Sequence, residues 1–560
     1  MAGIKQALSE RFARMMRLGN TDDPLSSVQA VTRWAESLPV GDALKAQNEI
    51  LLEIKRFNDE DAPLSKERLL ILMLLDEKGQ HTQSVLSRQY LRNPRMSRSV
   101  ESQLWHAIYH LNWEVLRAYH NYIIDYARNP AKSRLKAMMP IVTLRALRGF
   151  HRVIKWRTIR YLHPGTKTWS RLHQLYQVAE TQGFHHTRLL AYPDDTQEST
   201  CEGEYLHTLM LDQANSGSLY PRQIDLIDNW ITGWRDKLGL ETNLDIERHV
   251  LAVDLTKDRG AKRVRNNTAE LSMRYCATQE LLDQLRGILS ELHSGTSPAR
   301  LGLSENVRVS ESLELLEHLL RQWAPLNARE QRRSPRKAVK KIVEIVHGLP
   351  SIIARIKDDK KGSDASLAGD RLNFDEHTDV AVYGFVTNRT LNRSSYGATP
   401  DGRAPDIERW VMEDESESGF GTTIEARDKD WLRIGALAGL RADKTAGWFL
   451  GIVRRLSRLN EVESSVGIEI MAGKPLDVFL YSQQSSVYTV NGLSTHNASP
   501  AIAGLLFDDQ DDPSIVIDAA HYQRNGIFEY RLMQEKKHIQ MGDAIDHGEG
   551  WVQVRVSRLD

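Results

Sequence analysis

Gln331-Arg332-Arg333-Ser334-Pro335-Arg336 stands where a helix-rich half of the chain gives way to a strand-rich half, and that change decides the fold. Upstream of this run, apolar residues recur at helical spacing; downstream, the period shortens towards two. Arg332 and Arg336 are four residues apart with Arg333 beside them. Pro335 disfavours helix at Ser334, so an extended basic arm is expected rather than a helical turn. Further on, Asp414-Glu415-Ser416-Glu417-Ser418-Gly419 reads as a polar turn entering a series of short strands.

The chain has 560 residues, too many for one core, so several domains are expected. Hydrophobic content of 41% and charged content of 26% describe an ordinary soluble protein. Lys+Arg and Asp+Glu both total 74, so no global basic field favours long nucleic acid, and any anion site must be a local cluster of arginine. The two cysteines, Cys201 and Cys276, exclude a disulfide framework and a multi-cysteine metal site. Met1 to Met16 carries Lys5, Glu10, Arg11 and Arg14 with no apolar run, unlike a signal peptide, and Leu69 to Leu75 is too short to span a membrane. A cytoplasmic location is expected.

The expected fold class is multidomain α+β: an all-helical N-terminal half, a small α+β middle unit, a β-barrel, and a second small β-barrel-like unit. Residues 1–190 read as a helical bundle or solenoid-like domain; Ser99 to Asp125 shows Leu104, Ile108, Leu111 and Val115 in one stripe. Residues 191–325 mix a helix from Tyr220-Pro221 to Trp234, strands at His249 to Leu255 and Glu270 to Tyr275, and helices at Leu281 to Leu292 and Ser310 to Trp323. In residues 326–480, strands are expected at Lys341 to Val346, Ile352 to Ile356, Val380 to Thr387, Trp410 to Met412, Gly421 to Glu425, Trp431 to Leu440, Trp448 to Arg455 and Val466 to Met471. An insertion at about 357–408, opening on Lys357-Asp358-Asp359-Lys360-Lys361, interrupts them. Residues 481–560 place strands at Ile502 to Phe507, Ser514 to Ile517, Ile527 to Leu532 and Trp551 to Val556 after a Ser/Asn/Gly-rich linker. The acidic loop Asp508 to Asp512 lacks the glycine and glutamate of a calcium loop and reads as a solvated turn.

A guanidinium offers a rigid fork of donors that fits a phosphate or the O6/N7 edge of guanine. Asp414 can accept from guanine N1–H and N2–H₂, Ser416 can donate to phosphate, and Gly419 lets backbone approach closely. Each half alone is weak, since basic junctions and Asp/Ser/Gly turns are common. Together, Arg-x-x-x-Arg (Arg332 to Arg336) and Asp-x-Ser-x-x-Gly (Asp414 to Gly419) resemble the motifs of the PilZ domain, the bacterial receptor module for cyclic di-GMP. Phe420-Gly421, Ile434-Gly435-Ala436-Leu437, Trp448 to Arg455 and Val466-Gly467-Ile468-Glu469 are similar to its later strands in order and texture. The resemblance spans roughly residues 329–475. It implies a cyclic di-GMP ligand held by Arg332, Arg333, Arg336, Asp414, Ser416 and Gly419, with no cofactor. The motifs stand further apart than is usual for the family, which the insertion accounts for. Asn392-Arg393-Ser394-Ser395-Tyr396-Gly397 fits the same turn pattern, so Asn392, Ser394 and Gly397 form an alternative site. Asp414 is preferred because Gly419 runs directly into barrel strands.

Other clusters carry less. His106, His110 and Glu114 share a helical face without a matching second helix, and adjacent His185-His186 suit one metal poorly, so packing roles and no metal site are expected. His163-Pro164-Gly165-Thr166-Lys167-Thr168 lacks the full phosphate-loop pattern. Cys201 near His207 is no evidence for a nucleophile, and Trp105, Tyr109 and Trp113 read as core or interface aromatics. The expectation is a cyclic di-GMP effector, not an enzyme, whose helical half relays to a protein partner as the arginine arm closes on the barrel. The alternatives are a degenerate barrel acting as a structural adaptor, or a nucleic-acid regulator using the same arginines plus Lys337, Lys340 and Lys341, which zero net charge disfavours.

Overall fold

A computed structural model describes residues 23–93, 96–246, 248–264, 271–324, 336–361, 407–427, 429–442, 447–460, 462–482, 501–508, 512–532 and 535–559. The chain separates into two compact units, Met1–Arg329 and Glu330–Asp560.

The first unit is built on helices α1 (Val28–Glu36), α2 (Ala43–Asp59), α3 (Lys66–Arg92), α4 (Arg98–Arg128), α5 (Met139–Ile159), α6 (Thr168–Thr181), α7 (Cys201–Gln213) and α8 (Pro221–Trp234). Their starts are chemically marked. Ser27, Asp42, Ser65, Ser97 and Thr200 each accept a hydrogen bond from an amide in the first turn, satisfying a donor the helix cannot. The stripe Leu104, Ile108, Leu111 and Val115 on α4 is buried. A four-stranded antiparallel sheet follows, in the order β1 (Gly239–Glu241), β4 (Met273–Ala277), β2 (His249–Asp254), β3 (Lys262–Arg263). Helices α9 (Gln279–His293) and α10 (Val309–Trp323) complete the unit. The short strand β3 was not anticipated in a turn rich in basic residues and Asn. One hydrophobic core runs from Leu25 to Trp323, so the sheet and the helices bury a common interior. Among the described residues no helix is long and apolar enough to cross a membrane.

The second unit holds two closed barrels of six antiparallel strands. The first joins β5 (Lys337–His347), β6 (Glu408–Ser416), β7 (Gly419–Glu425), β8 (Leu437–Arg441), β9 (Phe449–Arg458) and β10 (Glu463–Ile470) in the cyclic order β10-β7-β6-β5-β8-β9. The second joins β11 (Leu476–Ser482), β12 (Ile502–Phe507), β13 (Ser514–Asp518), β14 (Ile527–Leu532), β15 (Glu535–Gly548) and β16 (Trp551–Arg558) as β11-β12-β13-β16-β15-β14. Counted from its own first strand, each barrel has the same connectivity: the first strand lies between the second and fourth, and the sixth between the third and fifth.

Three expectations need correction. Ile352 to Ile356 is not a strand but part of helix α11 (Leu349–Lys361). A short apolar run has no period of its own, and here Gly348 at φ 79° turns the chain into a helix with Pro350 in its first turn. Trp431 to Leu440 is a turn until Leu437, where β8 begins. Strands β11 and β15 were missed: Lys, Glu, Asp and His interrupt the apolar alternation of β15. The segment read as an insertion contributes its ends to α11 and β6, and its residues 362–406, with the expected strand Val380 to Thr387, lie outside the described residues.

Candidate functional site

Arg336 sits one residue before β5, and Asp414 lies two residues from the end of its hydrogen-bonded neighbour β6. Pairing of Ala338 with Asp414 carries the two side chains to one edge of the first barrel. There Nη1 of Arg336 donates to both carboxylate oxygens of Asp414, at 2.7 Å to Oδ1 and 2.9 Å to Oδ2. About a third of each side chain remains exposed, at 34% and 35%. Lys341 pairs with Glu415 at 2.7 Å beside it.

Two irregularities shape this edge. The β5–β6 register shifts between Ala338 and Lys341, and the β6–β7 register shifts between Met412 and Asp414. Such bulges bend a strand and re-aim its side chains. Across from Asp414 is Gly421, where a Cβ would lie 2.8 Å from Asp414 Oδ1; only glycine leaves room for the carboxylate.

The remainder of the motif forms the adjoining hairpin. Ser416 pairs with Gly419 and closes a hairpin over Glu417 and Ser418, with Ser416 Oγ donating to Gly419 O at 3.0 Å. A Cβ on Gly419 would stand 2.1 Å from Ile468 O on β10, so this glycine is required for strand packing. The structure therefore brings Arg336 and Asp414 together and holds Ser416 and Gly419 on the same hairpin. Arg332 and Arg333, and the alternative turn with Asn392, Ser394 and Gly397, lie outside the described residues.

Several other sequence candidates contact the chain itself, while His185 and His186 lie with Glu202 in a group whose donor atoms are within 4.8 Å of one another. His106 turns Nδ1 to its own helix, 2.7 Å from Ser102 O, and Glu114 accepts from Asn58 at 2.8 Å. Trp105 is buried, stacks on Tyr109 and donates to Trp156 O at 2.7 Å. At the start of α6, the amides of Lys167 and Ser170 donate to Asp258 at 2.6 and 3.0 Å, so a carboxylate of the chain itself occupies the position a phosphate would take. Burial pushes the thiols of Cys201 and Cys276 upward, the latter to about 12, which leaves both inert as nucleophiles. His207 turns instead to His151 and Asp228, a buried cluster that the sequence spacing did not signal.

Against this geometry the comparisons are asymmetric. Neither a curated protein nor a solved structure matches the sequence. Residues 29–245, from α1 through β1, match the family model described as "Cyclic-di-GMP receptor FimW, N-terminal domain". That match covers less than half of the chain, lies wholly in the helical unit, and stops short of the barrels where the arginine–aspartate pair sits.

Proposed function

We propose that the chain is a receptor for cyclic di-GMP that binds the nucleotide at the edge of its first barrel. One observation carries the location: Arg336 and Asp414, far apart in sequence, meet at 2.7 Å beside the hairpin that holds Ser416 and Gly419. The family match of residues 29–245 supports the ligand class independently of that edge.

The chemistry follows from complementary needs. A cyclic dinucleotide of guanine presents anionic phosphates and a guanine edge bearing both acceptors and donors. Arg336 satisfies the acceptors or a phosphate, and Asp414 takes the guanine N1–H and N2–H₂. In the ligand-free protein the two groups satisfy one another. A partly exposed pair of this kind is worth at most about 1 kcal/mol, so exchanging it for ligand contacts costs little. Arg332 and Arg333, next to Arg336 in sequence, would add the remaining positive charge of the arm. The helical unit would then carry the signal to a protein partner.

Isothermal titration of the full-length chain with cyclic di-GMP tests this reading. Wild type should bind, and Arg336→Ala and Asp414→Ala should each weaken binding at least about tenfold, the loss of one charge-assisted contact. Wild-type protein that takes up no nucleotide would leave the barrel as an adaptor and end the proposal. Unchanged affinity in both variants would move the site elsewhere.

A further inference from the structure

A buried polar cluster that is only partly hydrogen-bonded lies in the core of the helical unit. His151 on α5, His207 on α7 and Asp228 on α8 are all buried, at 4%, 3% and 7% exposure. Both imidazoles address one carboxylate oxygen: His151 Nε2 is 2.6 Å and His207 Nε2 is 2.9 Å from Asp228 Oδ1. The ring centroids are 4.0 Å apart, and the donor atoms of all three side chains lie within 4.8 Å of one another.

Protein hydrogen bonds account for only part of this arrangement. His151 has both nitrogens placed, with Nε2 at Asp228 and Nδ1 3.3 Å from Thr208 Oγ1. His207 has neither: its Nδ1 finds no partner among the described residues, and its Nε2 lies close to Asp228 without hydrogen-bond geometry. The unpartnered Nδ1 costs about 1–3 kcal/mol, and Nε2 is left with an electrostatic contact to Asp228 alone. A cation shared by the three side chains would occupy the Nε2 lone pair of His207 and leave only its Nδ1–H without a partner among the described residues.

We propose that His151, His207 and Asp228 form a binding site for a divalent transition-metal ion, Zn²⁺ by its donor set. Two imidazoles and one carboxylate are a borderline nitrogen/oxygen set suited to zinc and its neighbours, and unsuited to the all-oxygen shells of calcium and magnesium. Tetrahedral zinc spaces its donors about 3.3 Å apart, so the 2.6 and 2.9 Å gaps to Asp228 Oδ1 would each open by under an ångström, which takes movement of His151 or the carboxylate as well as of His207. The outer shell is built around His151 and Asp228. Lys155 Nζ holds the other oxygen, Oδ2, at 2.6 Å and is itself shared with Asp225 at 2.6 Å, so Oδ1 stays turned to the imidazoles. Thr208 Oγ1 donates to Glu204 O at 3.0 Å and can therefore accept from Nδ1–H of His151, which leaves the Nε2 lone pair for the metal. The adjacent ammonium weakens the site relative to a four-ligand structural zinc, and the fourth position falls to water. Bound there, the ion ties α5, α7 and α8 at one point.

Metal analysis of the full-length protein, purified without chelator or a metal-affinity tag, tests the proposal. About one zinc per chain is expected, as a single three-residue site predicts. Co²⁺ exchanged for it should give visible d–d absorption, and His207→Ala should lose both the zinc and the band. Removing zinc with dipicolinate should lower the Tm of wild type, and Zn²⁺ should restore it. Zinc retained undiminished by His207→Ala would overturn the site. So would wild-type protein that carries no metal, shows no cobalt band and has a Tm indifferent to Zn²⁺ and chelator, an outcome that stands even if the variant fails to fold.

Discussion

Asp212, the penultimate residue of α7, has little to stabilise its charge. Among the described residues its carboxylate accepts a hydrogen bond only from Gln213 Nε2, at 3.2 Å, and Gly260 packs so closely that a Cβ there would fall 2.5 Å from Asp212 Oδ2. Burial raises its pKa to about 6. A folded-state value above the unfolded one means that the stability it contributes is full below about pH 4 and is lost as pH rises through about 6. Asp212→Asn should therefore stabilise the protein by about 1–2 kcal/mol at pH 7.5, after discounting for the residue's partial exposure, and change nothing at pH 4. Differential scanning fluorimetry across that pH range reads this directly; a variant less stable at pH 7.5 would refute it. What the sequence reveals at this scale depends on spacing. Arg336 and Asp414 stand out in the sequence because each belongs to a motif of fixed spacing, and the structure pairs them beside the hairpin that Ser416 and Gly419 close. His151, His207 and Asp228 share no local pattern, since packing of three separate helices assembles them. Asp212 needed a buried environment that no single residue announces.

Helix α11 shows how an element is misread when its neighbours decide its form. Ile352, Ile353 and Ile356 suit a strand by composition, yet all three are buried in a cluster with Val346, Leu437 and Leu450 of the first barrel and Leu505, Val516 and Trp551 of the second. The helix contacts β5, β8, β11 and β12, so it is a wedge shared by both barrels. The fit is close at Gly439, where a Cβ would come within 2.7 Å of Val346 and 3.3 Å of Ile352. A strand with alternating burial, such as β16, was legible because the period is inherent in it. Ile352→Ala removes a side chain with no solvent exposure and should cost about 2–5 kcal/mol. Because the wedge is shared, hydrogen exchange read by mass spectrometry should show faster exchange in β8 and in β12 alike. Faster exchange confined to the first barrel would contradict the shared role.

At the scale of the molecule, the C-terminal unit is one barrel design used twice, which the sequence did not disclose because connectivity can repeat without a repeating pattern of residues. The equivalence makes the functional contrast sharp. The hairpin β12–β13 of the second barrel corresponds to β6–β7 of the first, and it closes on Phe507 and Ser514 where the first closes on Ser416 and Gly419. Its acidic residues are engaged differently: Asp508 pairs with Arg558 at 2.5 Å and Asp512 with Arg555 at 2.6 Å, both arginines from β16 rather than from an arm before the first strand. The position equivalent to Arg336, immediately before β11, is Pro475, which offers no donor for phosphate or guanine. Asp512 and Arg555 are exposed, so their pair contributes little to stability and its loss should leave the fold intact. If the nucleotide site needs an arm of arginine opposite the hairpin carboxylate, the second barrel has lost it and serves as a scaffold that completes the core around α11. The double variant Asp508→Ala/Asp512→Ala should then titrate with cyclic di-GMP as wild type does, in affinity and in stoichiometry, while Asp414→Ala does not. A loss of binding in the double variant equal to that in Asp414→Ala would show that the two barrels share the ligand, and the division of labour between them would fall.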